Sequence, residues 1–253
     1  MITAREVRES LTVQLKELHL PTIRQCYAEE ADQARTESLS YEQYLLELTS
    51  QERTVRRQNR VNRLLRQSKL PLEKTLESFD RKRLPPKINA HVNVLLDGTF
   101  LARAENVLAF GNPGSGKTHL LCAIAQELVH QGHQVLYTPC SHLVQQLLVA
   151  KRDLELPRAL KRLSKYDAIM IDDIGYVQQD RDEMEVLFTL LADRYERGSV
   201  MITSNLTFSK WERIFKDPMT TAAAIDRLVH HSVILELDIL SYRLEQSKKG
   251  KKK

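Results

Sequence analysis

Apolar positions recur at two different periods along this 253-residue chain. Up to about residue 68 the period is helical. Thr3 with Glu6 has the spacing of a capping box, and Leu11, Leu15 and Leu18 follow at helical intervals. Pro21 suits the first turn of a second helix. Ser40 with Gln43 makes a second capping box, opening a long helix through Tyr44, Leu45 and Leu48 to about Gln67. No glycine precedes Gly98. The stretches KLPLEK (69–74) and RLPPK (83–87) are proline-marked connectors.

From about residue 105 short apolar runs alternate with amphipathic ones. NVLAF (106–110), QVLYT (134–138), AIMID (168–172), VMITS (200–204) and VILEL (233–237) read as strands. Helical patterns separate them, one ending at Gly132, one over SHLVQQLLVAKRD, one stopping at Gly198 and one starting near Thr221. This alternation predicts a parallel sheet covered on both faces. The expected division is an all-helical domain over 1–68, an α/β domain over 69–245 and a disordered basic tail over 246–253.

Composition excludes some classes and leaves others open. No apolar run is long enough to span a bilayer, and the N-terminus MITAREVRES lacks a signal-peptide core. Cys26, Cys122 and Cys140 are scattered, as expected of buried thiols in a reducing cytoplasm. The net charge of +5 is carried by the tail SKKGKKK; without its five lysines, basic and acidic residues balance. Only a local patch can therefore argue for nucleic acid. One exists: Arg53, Arg56, Arg57, Arg60 and Arg63 fall on one face of the long helix, with Arg66 beyond, and no acid lies between Arg53 and Leu72. Such a stripe suits phosphates; a solvated face paired to acids elsewhere is the plainer reading.

GNPGSGKT (111–118) fills every specified position of G-x-x-x-x-G-K-[ST] between a strand and a helix. Gly111, Asn112, Pro113, Gly114, Ser115 and Gly116 form a loop whose amides turn inward as an anion nest. The helix adds its positive end. Lys117 meets the β/γ-phosphates, and Thr118 offers a hydroxyl to Mg²⁺. Ligands of a parallel sheet sit beyond the carboxyl ends of its strands, so AIMID places Asp172 and Asp173 beside that loop. Asp172 is expected to hold Mg²⁺ and Asp173 to orient or deprotonate a water attacking ATP, or merely to tune the metal. Asn205 is placed to sense the γ-phosphate or, more simply, to form a turn. Arg227 is either an arginine finger for a neighbouring subunit or an ordinary surface arginine. The N-K-x-D string with which Ras-type GTPases read guanine does not occur.

KTLESFD, ENVLAFGNPGSGKTHL, DAIMIDDIGYV, VMITSNLTFSKW and AAIDRLVHHSVILEL followed by SYR together resemble the IstB-type ATP-binding proteins. These are AAA+ helpers encoded beside the transposase IstA in bacterial insertion sequences, and the blocks cover about 72–243. The resemblance implies an AAA+ P-loop NTPase fold and ATP-dependent homo-oligomerisation on double-stranded DNA, with ATP sites between subunits. It also implies help to a partner transposase in transposition and a bacterial cytoplasmic location. It makes Gly111–Thr118 the Walker A loop, Asp172–Asp173 the Walker B pair, Asn205 sensor 1, Arg227 the finger and Arg243 the sensor-2 arginine. His119 continues the Walker A signature, as a cradle residue or a helix-packing one. Phe79 and Asp80 match the segment leading into the core, near adenine or simply packed. Asp173 stands where many AAA+ enzymes carry Glu, so hydrolysis is expected to be slow. The related DnaC-type helicase loaders share the core, leaving a loader or a non-hydrolysing nucleotide-gated scaffold as alternatives.

Overall fold

The computed structural model describes residues 3–174, 181–207, 210–211, 218–239 and 241. The chain divides into two compact units, residues 1–63 and 64–253.

In the first unit, helices α1 (Ala4–Glu17), α2 (Pro21–Glu37) and most of α3 (Tyr41–Ser68) enclose Leu15, Ile23 and Leu48. Both capping boxes form: Thr3 N donates to Glu6 Oε2 at 2.7 Å, and Ser40 N donates to Gln43 Oε1 at 2.8 Å. Glu52 on α3 is buried and caps α2, accepting from Thr22 N at 2.9 Å and Ile23 N at 3.1 Å. Helix N-termini leave their first amides unpaired, so a carboxylate there is favoured. Burial would raise the Glu52 pKa, but the bonds from Arg56, Ile23 and Thr22 outweigh it and hold it below the ordinary value.

The second unit is a five-stranded parallel sheet in the order β2-β3-β4-β1-β5. The strands are β1 (Asn106–Phe110), β2 (Val135–Pro139), β3 (Ala168–Asp172), β4 (Ser199–Ser204) and β5 (Ser232–Glu236). All five expected strands form, within a residue of their expected ends. Successive side chains alternate between faces. Leu108, Phe110, Ile169, Ile171, Val200 and Ile202 enter one core, with helices α7 (Cys140–Arg152), α9 (Arg181–Arg194) and α10 (Pro218–Val229). Val107, Ala109, Met170 and Met201 enter the other, with α4 (Pro86–Leu95), α5 (Thr99–Ala102) and α6 (Lys117–His130). The architecture is a three-layer α/β sandwich. Among the described residues no helix is long and apolar enough to cross a membrane.

Three helices differ from the sequence reading, one of them the single turn α5, where no element was expected. Pro85–Pro86, expected as part of a connector, starts α4, with Pro86 supplying the preset φ of a first turn. Leu156–Leu163, to which the sequence pattern assigned no element, is α8, packing Leu156, Leu160 and Leu163 against the α7/α9 core. Arg243 and the basic tail lie outside the described residues.

Candidate functional site

Gly111 follows β1 with φ 148°, and a Cβ there would collide with the Leu237 carbonyl. Gly116 caps α6 with φ 94° and lies against the Phe79 ring. Both are conformations or approaches that a side chain resists. Gly116 has no side chain to offer, so the amino end of α6 follows the loop with no capping side chain. Ser115 Oγ is buried with no partner among the described residues. A cavity of about 220 Å³ opens over the loop, bounded by Phe79, Asp80, Arg83, Lys117, His119 and Ile239. An orphaned hydroxyl, a helix amino end without a side-chain cap and a buried lysine fit an oligophosphate.

Lys117 is 6% exposed. Its Nζ donates to Gly111 O (2.8 Å), Asn112 O (3.0 Å) and Asn205 Oδ1 (2.7 Å). Asn205, just past β4, also donates through Nδ2 to Asp173 Oδ1 at 3.0 Å. One amide thus joins the loop lysine to the second aspartate.

Asp172 ends β3 and is gripped from three elements. Thr118 Oγ1 on α6 donates to its Oδ1 at 2.8 Å, and Thr203 Oγ1 on β4 donates to the same oxygen at 2.7 Å. Tyr137 on β2 donates from its hydroxyl to Oδ2 at 3.1 Å. The Thr118–Asp172 pair is an all-oxygen donor set of the kind Mg²⁺ takes beside phosphates. Asp173 adopts φ 65°, a left-handed backbone that non-glycine residues other than Asn and Asp rarely take, and its amide donates to Thr203 Oγ1 at 2.8 Å. Burial first and the neighbouring Asp172 second push its pKa above the ordinary carboxylate value, against the opposing pull of Lys117. Burial, with the Asp172 charge next, also raises the Tyr137 pKa, so the phenol stays a donor.

Lys117, Thr118, Asp172, Asp173 and Asn205 therefore come together in one polar cluster. Tyr137 and Thr203, which the sequence reading did not single out, complete it. Their only signal was position, since both lie at the carboxyl ends of parallel strands. His119 lines the cavity, but its Nε2 is engaged by Ser78 Oγ at 3.0 Å and Thr75 O at 3.1 Å, with the Phe79 ring edge-on at 5.2 Å. The ring ties residues 75–79 to α6. Arg227 is half-buried, its guanidinium 5.1 Å over the Phe188 ring while Nη1 donates to Ala223 O. Of the stripe, Arg53, Arg56, Arg57, Arg60 and Arg63 are all exposed. Arg56 also has local partners: its Nε donates to Glu52 Oε1 at 2.7 Å, and Nη2 bonds His19 O. It supplies the counter-ion that the buried Glu52 charge needs.

Comparison with known proteins agrees with this geometry. The model of the IstB-like ATP binding protein family matches residues 13–250. A protein of Sinorhizobium fredii, named as an insertion sequence ATP-binding protein, is 42% identical over 243 residues, 96% of this chain and 82% of its own. Among solved structures, AMPPCP-bound DnaA from Aquifex aeolicus superposes with a TM-score of 0.57 at 18% identity, covering 73% of this chain and 56% of its own. The DnaC helicase loader gives 0.54 at 16% identity, covering 65% and 96%. At such identities the structural likeness carries the fold alone, which is that of the AAA+ P-loop NTPases. With the family model spanning nearly the whole length, the chain belongs to the IstB-like ATP-binding proteins of insertion sequences.

Proposed function

We propose that this chain is an ATPase that assembles on double-stranded DNA in an ATP-dependent way and assists a partner transposase of the IstA type, in the bacterial cytoplasm. The observation that carries the reading is the single network from Lys117 through Asn205 to Asp173, beside the Thr118–Asp172 pair. Lys117 leaves its two carbonyl partners to meet the β/γ-phosphates, while the amides at the start of α6 hold the α/β-phosphates. Mg²⁺ bound by Thr118 and Asp172 would neutralise phosphate charge. Asp173 accepts a proton from the attacking water at a carboxylate oxygen, and Asn205 fixes that carboxylate's orientation. Tyr137 and Thr203 hold Asp172 so that its free lone pairs face α6. Arg227 leaves Phe188 to stabilise charge on ATP held by an adjacent copy, and Arg243 serves as the sensor-2 contact. Arg53, Arg56, Arg57, Arg60 and Arg63 grip DNA phosphates, which positions the protein without reading sequence.

The test is Lys117→Ala with ATP and duplex DNA, followed by light scattering and electron microscopy. Loss of ATP-dependent assembly is expected; unchanged assembly overturns the mechanism. A non-hydrolysing scaffold is the second reading, favoured by Asp173 being one methylene shorter than the Glu that many AAA+ enzymes carry there. It holds if wild type releases no phosphate while assembling on DNA.

A further inference from the structure

The turn after α9 and the turn between α10 and β5 bring Glu196, His230 and His231 together, with one donor atom from each lying within 4.8 Å of the others. All three are exposed, and none belongs to the nucleotide cluster. Because β4 and β5 run parallel and begin just after these turns, the group sits at the amino ends of the strands, opposite the phosphate loop.

Three features make this more than a chance surface grouping. First, the backbone of each residue is already fixed. His230 N donates to Asp226 O at 3.0 Å, His231 O accepts from Asn106 N at 2.7 Å, and Glu196 holds a left-handed φ of 58°. Little main-chain freedom is left to lose on binding. Second, the imidazoles are adjacent, with centroids 4.2 Å apart and planes at 67°, so they do not stack face to face and shield one another. Third, His230 has an orienting partner, the Tyr195 hydroxyl, 3.2 Å from its Nδ1. In the tautomer whose Nδ1–H donates to this hydroxyl, the His230 lone pair lies on Nε2. A hydrogen-bonded second nitrogen is the usual support of a metal-binding histidine.

We infer that Glu196, His230 and His231 form a surface site for a borderline transition cation of the Zn²⁺ class. Two imidazoles and one carboxylate suit Zn²⁺, Co²⁺ or Ni²⁺ and are poor ligands for Mg²⁺, so the site does not compete for the metal expected at Thr118 and Asp172. Tetrahedral bonds of about 2.0–2.1 Å set ligand atoms roughly 3.4 Å apart. The observed spread closes to that by side-chain rotation. The cation ties the end of α9 to the end of α10, the helix that carries Arg227.

The test uses the full chain, stripped with a chelator and titrated with zinc chloride in excess Mg²⁺. One equivalent is expected to bind and to raise Tm by about 5 °C once free Zn²⁺ is roughly a hundredfold above Kd. Co²⁺ should show the visible absorption of a four-coordinate ion. His230→Gln with His231→Gln, or Glu196→Gln, should remove that absorption, Tyr195→Phe should weaken binding about tenfold, and His142→Ala should change nothing. Zn²⁺ should also shield His230 and His231 of the wild type from diethyl pyrocarbonate, an arm that needs no variant. Equal binding by the wild type and the double variant, or unshielded histidines at saturating Zn²⁺, overturns the assignment.

Discussion

Replacing Asp173 with Asn separates proton transfer from architecture. The backbone at 173 is left-handed, φ 65°, and Asn is among the few residues that adopt it at little cost. The new side chain is isosteric and keeps an oxygen to accept from Asn205 Nδ2, a bond of 3.0 Å in the wild type. The amide bond to Thr203 Oγ1 is main-chain and survives. What disappears is the base and one negative charge beside Asp172. A positioned base contributes about 10²–10⁴-fold, or roughly 2.7–5.5 kcal/mol of barrier, so DNA-stimulated phosphate release should fall about 100-fold or more while assembly persists. Stability should move the other way. The folded Asp173 pKa is raised above its unfolded value by burial and by Asp172. Its ionised form therefore costs stability at neutral pH, and that cost vanishes as pH falls through the raised value and the proton is taken up. The variant should accordingly melt higher than wild type near neutrality, with the gap closing in acid. The assays are phosphate release with and without duplex DNA, microscopy of the same mixtures, and melts at both pH values. A loss below about tenfold refutes the base assignment. A variant less stable than wild type at neutral pH refutes the electrostatic account.

Gly111→Ala should abolish nucleotide binding in equilibrium dialysis, because its Cβ meets the Leu237 carbonyl and its φ of 148° resists a side chain. Arg194 is 3% exposed and donates to four carbonyls, those of Leu163, Tyr166, Asp167 and Ser199, at 3.0–3.1 Å, while burial lowers its pKa to about 10. Leu163 O and Asp167 O keep backbone donors without it, so Arg194→Met should cost about 3 kcal/mol and lower Tm by roughly 6–12 °C; an unchanged Tm by calorimetry would refute that account. Arg57→Ala and Arg63→Ala should each reduce the salt slope of duplex affinity by about 1, whatever the sequence of the duplex. Tyr137→Phe removes one of the three donors to Asp172 and should weaken Mg²⁺-dependent ATP binding about fivefold, leaving Mg²⁺-free binding unchanged in fluorescence titrations.

Much of this molecule is written in local order. The five strands, the capping boxes at Thr3 and Ser40, and the Lys117–Thr118 pair opening α6 all follow from residues within a few positions of one another. That is why periodicity and spacing find them, and why placing Asp172 beside the phosphate loop needs only the rule that parallel strands end at one edge. Short elements escape that reading. The apolar positions of α8, Leu156, Ala159, Leu160 and Leu163, do stand at i, i+3, i+4 and i+7, but eight residues holding a proline make a window shorter than the one in which periodicity decides, and Pro86 signals a helix start and a chain break equally well.

Tertiary structure alone decided which polar groups distant in sequence meet. Tyr137 and Thr203 reach Asp172 across separations of 35 and 31 residues, and Asn205 joins Lys117 across 88. Glu52 and Arg56 stand at i, i+4 on one helix, a pairing that spacing alone allows; only the fold buries Glu52 at the amino end of α2. The same holds for Arg227, which lies over Phe188 of α9, and for His119, which bonds residues 75 and 78. Hydrophobic period depends on each residue and its near neighbours. A charge's partner is chosen by whatever the packed core brings within about 3 Å, and no local pattern encodes that choice.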